Sequence, residues 1–113
     1  MTTGPRETLL RAREDAVAQI AALHRDLDGV IDASRSSNAD DEHDPEGATI
    51  AFERAQVAAL LDAARRRLAE LDAALQRVAA GTFGRCEVCG REIPAERLEV
   101  RPAARTCVGC PSH

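Results

Sequence analysis

The stretch CEVCGREIPAERLEVRPAARTCVGC, residues 86–110, decides how this chain can fold. It holds all four cysteines of the 113-residue sequence, as the pairs Cys86/Cys89 and Cys107/Cys110, with seventeen residues between them. One C-x-x-C turn can place two thiolates on a single metal, and a loop of this length lets the second pair close a tetrahedron. Closed, all-thiolate coordination favours zinc. Four protein ligands leave no position for a water nucleophile, so the one zinc is expected to be structural rather than catalytic. Two disulfides or a redox C-x-x-C are the competing readings. The first needs an oxidising compartment. The second needs a βαβ setting, of which the sequence has no sign. Gly90 and Gly109 suit the tight turns of such knuckles.

Working back from the cysteines, Gly81 is placed to cap a helix. Upstream of it Val57, Leu61, Ala64, Leu68, Leu71, Leu75 and Val78 repeat as a heptad seam, with Ile50 in register. Asp44-Pro45 reads as an N-cap followed by proline in the first turn, so the helix is expected over about residues 45–80. Residues 34–43 are polar and aperiodic and read as a loop. Before them Leu9, Ala12, Ala16, Ile20, Leu23, Leu27 and Val30 form one stripe, widened by Leu10, Val17 and Ile31. That predicts a first helix from Pro5 to about residue 33. The fold class is therefore mainly α. Residues 1–80 form a long antiparallel coiled-coil hairpin with its tip at 34–47, and residues 81–113 form a small four-cysteine zinc finger. At 1.5 Å per residue the second helix would run about 54 Å, giving a rod with the zinc module at the end away from the tip. Phe83 is expected in the base of that module. The short loop argues for a monomeric hairpin; an intermolecular coiled coil is the alternative.

Composition narrows the function. Net charge is −4, all fifteen basic residues are arginine, and the only aromatics are Phe52 and Phe83. That is poor material for a globular core but suits close helix packing. The acidic balance argues against general attraction to DNA phosphates. No apolar run approaches the roughly 18 residues of a membrane span, and the N-terminus has no signal-peptide core. A cytoplasmic protein with reduced thiols is expected. No nucleophile motif, phosphate loop or dinucleotide fingerprint is present, so an enzyme is not expected.

Five carboxylates, Asp40, Asp41, Glu42, Asp44 and Glu46, crowd seven residues at the expected tip. A solvated acidic loop with a capping Asp44 would account for them. On the end of a narrow rod they would instead make a probe able to enter a positively charged or metal-containing cavity. In the zinc module Arg85, Arg91, Arg97, Arg101 and Arg105 alternate with Glu87, Glu92, Glu96 and Glu99. This balance suits a protein contact better than a DNA-reading face. Arg65, Arg66 and Arg67 read as a solvated helix face. His24, His43 and His113 have no metal partner in the sequence and are given no role.

The string Gly81-Thr82-Phe83-Gly84-Arg85-Cys86-Glu87-Val88-Cys89-Gly90, then Ile93-Pro94, Arg97-Leu98-Glu99-Val100-Arg101-Pro102 and Cys107-Val108-Gly109-Cys110, resembles the DksA/TraR family of bacterial transcription regulators. The resemblance covers about residues 45–110. It implies a protein that binds the RNA polymerase core, inserts its coiled-coil tip through the secondary channel and modulates initiation without reading specific DNA. The family's tip pattern is D-x-x-D-x-A. Counted back from Cys86, its alanine falls on Ala48, its second acid on Glu46, and its first acid on His43, with Asp44 adjacent. The tip residues implied are thus Asp44, Glu46 and Ala48, with Asp40 and Asp41 nearby. Some members bind guanosine tetraphosphate through basic residues on the second helix and on a C-terminal helix. Only three residues follow Cys110 here, so that nucleotide is not expected. Two further readings stay open. A Gre-like transcript-cleavage accessory factor would use Asp40-Asp41 to hold a metal. A zinc-stapled scaffold would pair with another protein through its apolar stripe.

Overall fold

A computed structural model describes residues 4–36 and 45–110; the side chains at positions 34, 36, 45 and 46 lie outside that description. Three helices follow in order: α1 Pro5–Ser36, α2 Pro45–Ala80 and α3 Ala95–Val100. Among the described residues no strand forms beyond an isolated antiparallel bridge between Arg85 and Glu92.

Both long helices start at the expected prolines. Pro5 opens α1, where its missing N–H would have had no partner in any case. The Thr8 N–H and hydroxyl both return to the Gly4 carbonyl, at 3.1 and 3.3 Å. α1 runs about one turn further than its apolar stripe predicts, to Ser36. Arg35 in that last turn suits the negative end of the helix dipole, and its guanidinium lies 3.8 Å from the Asp32 carboxylate. α2 stops at Gly81, whose φ of +78° is a left-handed conformation that side-chain-bearing residues resist. The Gly81 N–H donates to the Val78 carbonyl at 3.2 Å and the Thr82 N–H to the Arg77 carbonyl at 2.9 Å. This paired closure is a Schellman motif, the cap expected from the sequence.

The chain divides into two compact units. The helical unit, Ala16–Arg66, joins the later part of α1 to the earlier part of α2. Its core is Leu23, Leu61 and Ala64, against which Ile20, Leu27 and Val57 pack. All six come from the two predicted stripes. Across the same pair of helices an Arg65 Nη2 lies 2.9 Å from His24 Nε2. Arginine can only donate, so His24 Nε2 is the acceptor in this contact. Val17, expected to widen the stripe, stays 43% exposed. Two helices alone bury only a narrow seam, and a residue on its flank has no third element to cover it.

The zinc-bearing unit comprises Met1–Asp15 and Arg67–His113. Leu9, Leu71 and Ala74 are its buried helical residues. Ala74 lies off the heptad seam and was not expected inside. Arg13 Nε and Asp72 Oδ1 pair across the helices at 2.6 Å, with both side chains nearly half exposed. In both units α1 and α2 run in opposite directions.

Candidate metal centre

The zinc-bearing unit assembles its thiols through two turns. The first is a short hairpin. The Ile93 N–H donates to the Gly84 carbonyl at 2.7 Å, and the Cys86 N–H to the Arg91 carbonyl at 2.8 Å. Gly90, at φ +74°, reverses the chain between these rungs, and its N–H reaches the Cys86 carbonyl at 2.9 Å. Ile93 is buried beside the turn and Pro94 starts α3. The second turn closes with the Cys110 N–H on the Cys107 carbonyl at 3.2 Å. Gly109 does not take the left-handed conformation that Gly90 does.

Three contacts tie the segment leading into the second turn to the first turn, to α3 and to α2. The Glu87 N–H donates to the Arg105 carbonyl at 2.9 Å, Arg97 Nε to the Thr106 carbonyl at 2.8 Å, and Arg77 Nη2 to the Ala103 carbonyl at 3.4 Å. Glu87 and Arg105 also approach as an ion pair at 3.9 Å. Burial lowers the pKa of the Arg77 guanidinium; Glu87 nearby opposes that and Arg105 adds to it. Arginine still keeps its charge. Of the arginines that the sequence presents as a surface set, Arg97 and Arg105 are therefore structural struts. Thr106 is buried at 5% exposure, and among the described residues no buried side-chain polar atom lacks a partner.

The Sγ atoms of Cys86, Cys89, Cys107 and Cys110 all lie within 4.8 Å of one another. Two of the separations are 3.7 Å, Cys89 to Cys107, and 3.5 Å, Cys107 to Cys110. A tetrahedral zinc with Zn–S bonds near 2.3 Å requires sulfurs about 3.8 Å apart, so the donor set fits. None of the four is in a disulfide. The Cys89 N–H points at Cys86 Sγ from 3.5 Å. Backbone N–H groups of Cys89 and then Cys107 draw the Cys86 thiol down to about 6 against its burial. Cys110 is pushed up to about 12, first by its hydrogen bond with Cys107 and then by that with Cys86. Sulfurs this close can all ionise only around a cation, and a dication supplies that charge. Zinc would contribute folding free energy to a unit with few buried residues of its own. With four cysteines as ligands the site keeps no open position.

The other residues singled out in the sequence lie elsewhere. Asp40, Asp41 and Asp44, with the capping role expected of Asp44, fall outside the described residues. Glu46 is the second residue of α2, its side chain outside the description, and Ala48 is exposed on the first turn of α2. Phe83 is partly buried. Helix α3 was not foreseen: six residues are too few for a periodic pattern, and the one signal was Pro94 ahead of Ala95-Glu96.

Four thiols on two hydrogen-bonded turns, set after a pair of long helices, define a C4-type zinc finger carried by a helical hairpin. Residues 81–110 match the family model of the prokaryotic dksA/traR C4-type zinc finger. This chain carries a zinc finger of that type on a DksA-like helical fold. It is 40% identical over 72 residues to general stress protein 16O of Bacillus subtilis, a match covering 64% of this chain and 44% of the relative. It is 41% identical over 49 residues to the RNA polymerase-binding transcription factor DksA of Escherichia coli K12, covering 43% of this chain and 32% of the relative. Both matches thus span less than half of the curated relative. The structure of transcription factor DksA2 from Pseudomonas aeruginosa superposes with a TM-score of 0.77 at 28% identity, over 92% of this chain and 74% of that one. No described helix is long and apolar enough to cross a membrane.

Proposed function

We propose that this protein is a cytoplasmic transcription regulator that binds RNA polymerase through its secondary channel. The zinc finger would hold the polymerase-docking part in shape, and the carboxylates between α1 and α2 would act near the polymerase active centre. The observation that carries this reading is the finger at residues 81–110 on helices that follow the DksA2 fold over 92% of the chain. The chemistry agrees. A closed four-thiolate site does not catalyse, and among the described residues the thiol quartet is the only cluster suited to a metal. The acids Asp40, Asp41, Asp44 and Glu46 would place negative charge in a channel that admits a narrow helical pair. There they would shift the balance among initiation complexes rather than carry out a reaction of their own. Sequence-specific DNA binding and guanosine tetraphosphate are not part of the proposal, and the working species is a monomer.

The test is co-purification with core RNA polymerase, followed by transcription in vitro from a ribosomal promoter with and without the protein. Asp44→Asn combined with Glu46→Gln is expected to preserve binding and to reduce the effect on transcription. A double variant as active as the parent would remove these carboxylates from the mechanism. Failure of the unmodified chain to bind polymerase would overturn the proposal.

A further inference from the structure

The two thiol pairs are brought to the site in different ways. Cys86 and Cys89 sit on a hairpin whose rungs, Ile93 to Gly84 and Cys86 to Arg91, join residues at most nine positions apart. Such local bonds form early and cheaply. Cys107 and Cys110 follow a strap, Ala103–Thr106. Three of its four carbonyls accept a donor, each from a different element. Arg77 of α2 reaches Ala103 at 3.4 Å, the Glu87 N–H of the first turn reaches Arg105 at 2.9 Å, and Arg97 Nε of α3 reaches Thr106 at 2.8 Å. The shortest of these bonds holds the carbonyl directly ahead of the ligand Cys107. Arg97 is itself fixed: its N–H donates to the Pro94 carbonyl at 3.0 Å, and the neighbouring Ile93 N–H is bonded to Gly84 of the hairpin.

The strap has little else to hold it. From Arg101 to Thr106 the side chains are those of two arginines, a proline, two alanines and a threonine, with no large apolar group to bury. Thr106 alone among them is buried. A hydrogen bond from a guanidinium to a carbonyl contributes little net free energy, while ordering each backbone residue costs about as much or more. The three bonds do not by themselves repay the ordering of residues 103–110. Two thiolate ligands at the end of the strap supply what is missing, and the bonds in turn supply the ligands' positions.

We infer that Arg97, supported by Arg77, is a positioning residue for the metal site, and that seating of the strap and retention of the metal are one cooperative event. The finger then grips the last turn of α2 through Arg77 only while its four thiolates hold zinc. The coupling is reciprocal: whatever loosens the strap weakens zinc binding by the same factor as zinc removal loosens the strap. It belongs to the finger itself and goes beyond the proposed function without depending on polymerase.

Zinc affinity of the full chain, measured by competition with a chelator under reducing conditions, tests this. Arg97→Met keeps the length and helix propensity of the side chain and removes the donor. It is expected to bind zinc about tenfold more weakly, as loss of an outer-shell partner does. Arg101→Met removes the same charge from an exposed position at the end of α3 and is expected to leave the affinity unchanged. Arg77→Met should weaken binding by less than Arg97→Met, because its bond is longer. An Arg97→Met chain that binds as tightly as the parent, or an equal loss in Arg101→Met, would overturn the positioning role. Unchanged affinity in Arg77→Met would overturn the grip on α2. Amide exchange in the unmodified chain needs no variant to fold. Removing zinc should speed exchange of the Glu87 amide, which bonds the strap, at least tenfold, and leave the Thr82 amide, which caps α2, as slow as before. A Glu87 amide that stays protected without zinc would show that the strap seats independently of the metal and would overturn the inference.

Discussion

The helical unit and the zinc-bearing unit are built by different physics. Residues Ala16–Arg66 carry ten carboxylates against five arginines, while Met1–Asp15 with Arg67–His113 carry nine against ten. The chain's net negative charge therefore belongs to the helical unit. That unit is held by a narrow apolar seam of Leu23, Leu61 and Ala64 with their neighbours, and leaves Phe52 in solvent. The other has little more than Leu9, Leu71, Ala74 and Ile93 inside, and makes up the deficit with arginine-to-carbonyl struts and a metal site. A small unit with too few apolar residues needs a staple. A pair of amphipathic helices needs only a partner face.

The largest effect should follow from removing the staple. Structural zinc is worth about 10–16 kcal/mol in small fingers. Cys86→Ser, or a strong chelator, should abolish zinc retention measured by metal analysis. Most helical signal should survive, because the Leu23–Leu61–Ala64 cluster shares no residue with the site. Loss of all helix together with the metal would show that the two units are not separable. Acid should act in the same direction. Each ligand must be a thiolate, so zinc is held at neutral pH and released as protons compete on acidification. Metal-free Cys86, drawn down to about 6, is the thiol already ionised near neutrality.

Next come the leucines. Leu61→Ala in the helical unit and Leu71→Ala in the zinc-bearing unit each delete a side chain no more than 4% exposed. Each should cost about 2–5 kcal/mol in denaturant unfolding. If Leu71→Ala costs much less while zinc is bound, the metal rather than the seam sets the stability of its unit. Gly81→Ala should cost about 1–2 kcal/mol. Its φ is +78° and an added Cβ would meet nothing within 4 Å, so the penalty is purely conformational. The smallest effect is expected at Asp72→Asn. The Arg13–Asp72 pair is short but its side chains are 42% and 44% exposed, and such pairs contribute at most about 1 kcal/mol. A larger loss would make this pair a determinant of helix register in its unit.

Much of this was legible in the chain alone. Pro5, Pro45 and Gly81 mark helix ends because proline and glycine restrict or free the backbone locally, whatever surrounds them. The heptad seam is visible because helical periodicity puts its residues on one face before any partner is known. The cysteine spacing names a four-thiolate site because two turns and a loop suffice to build it. Tertiary structure decided what depends on residues distant in sequence. It separated Arg77 and Arg97, whose guanidinium groups hold backbone carbonyls, and Arg105, which pairs with Glu87, from the other arginines, since composition lists them all alike. It buried Ala74 and left Val17 and Phe52 exposed, because coverage depends on which neighbour arrives and two helices cannot cover every apolar side chain. It set four sulfurs within 4.8 Å of one another, which spacing permits but only the hydrogen bonds between the two turns bring about.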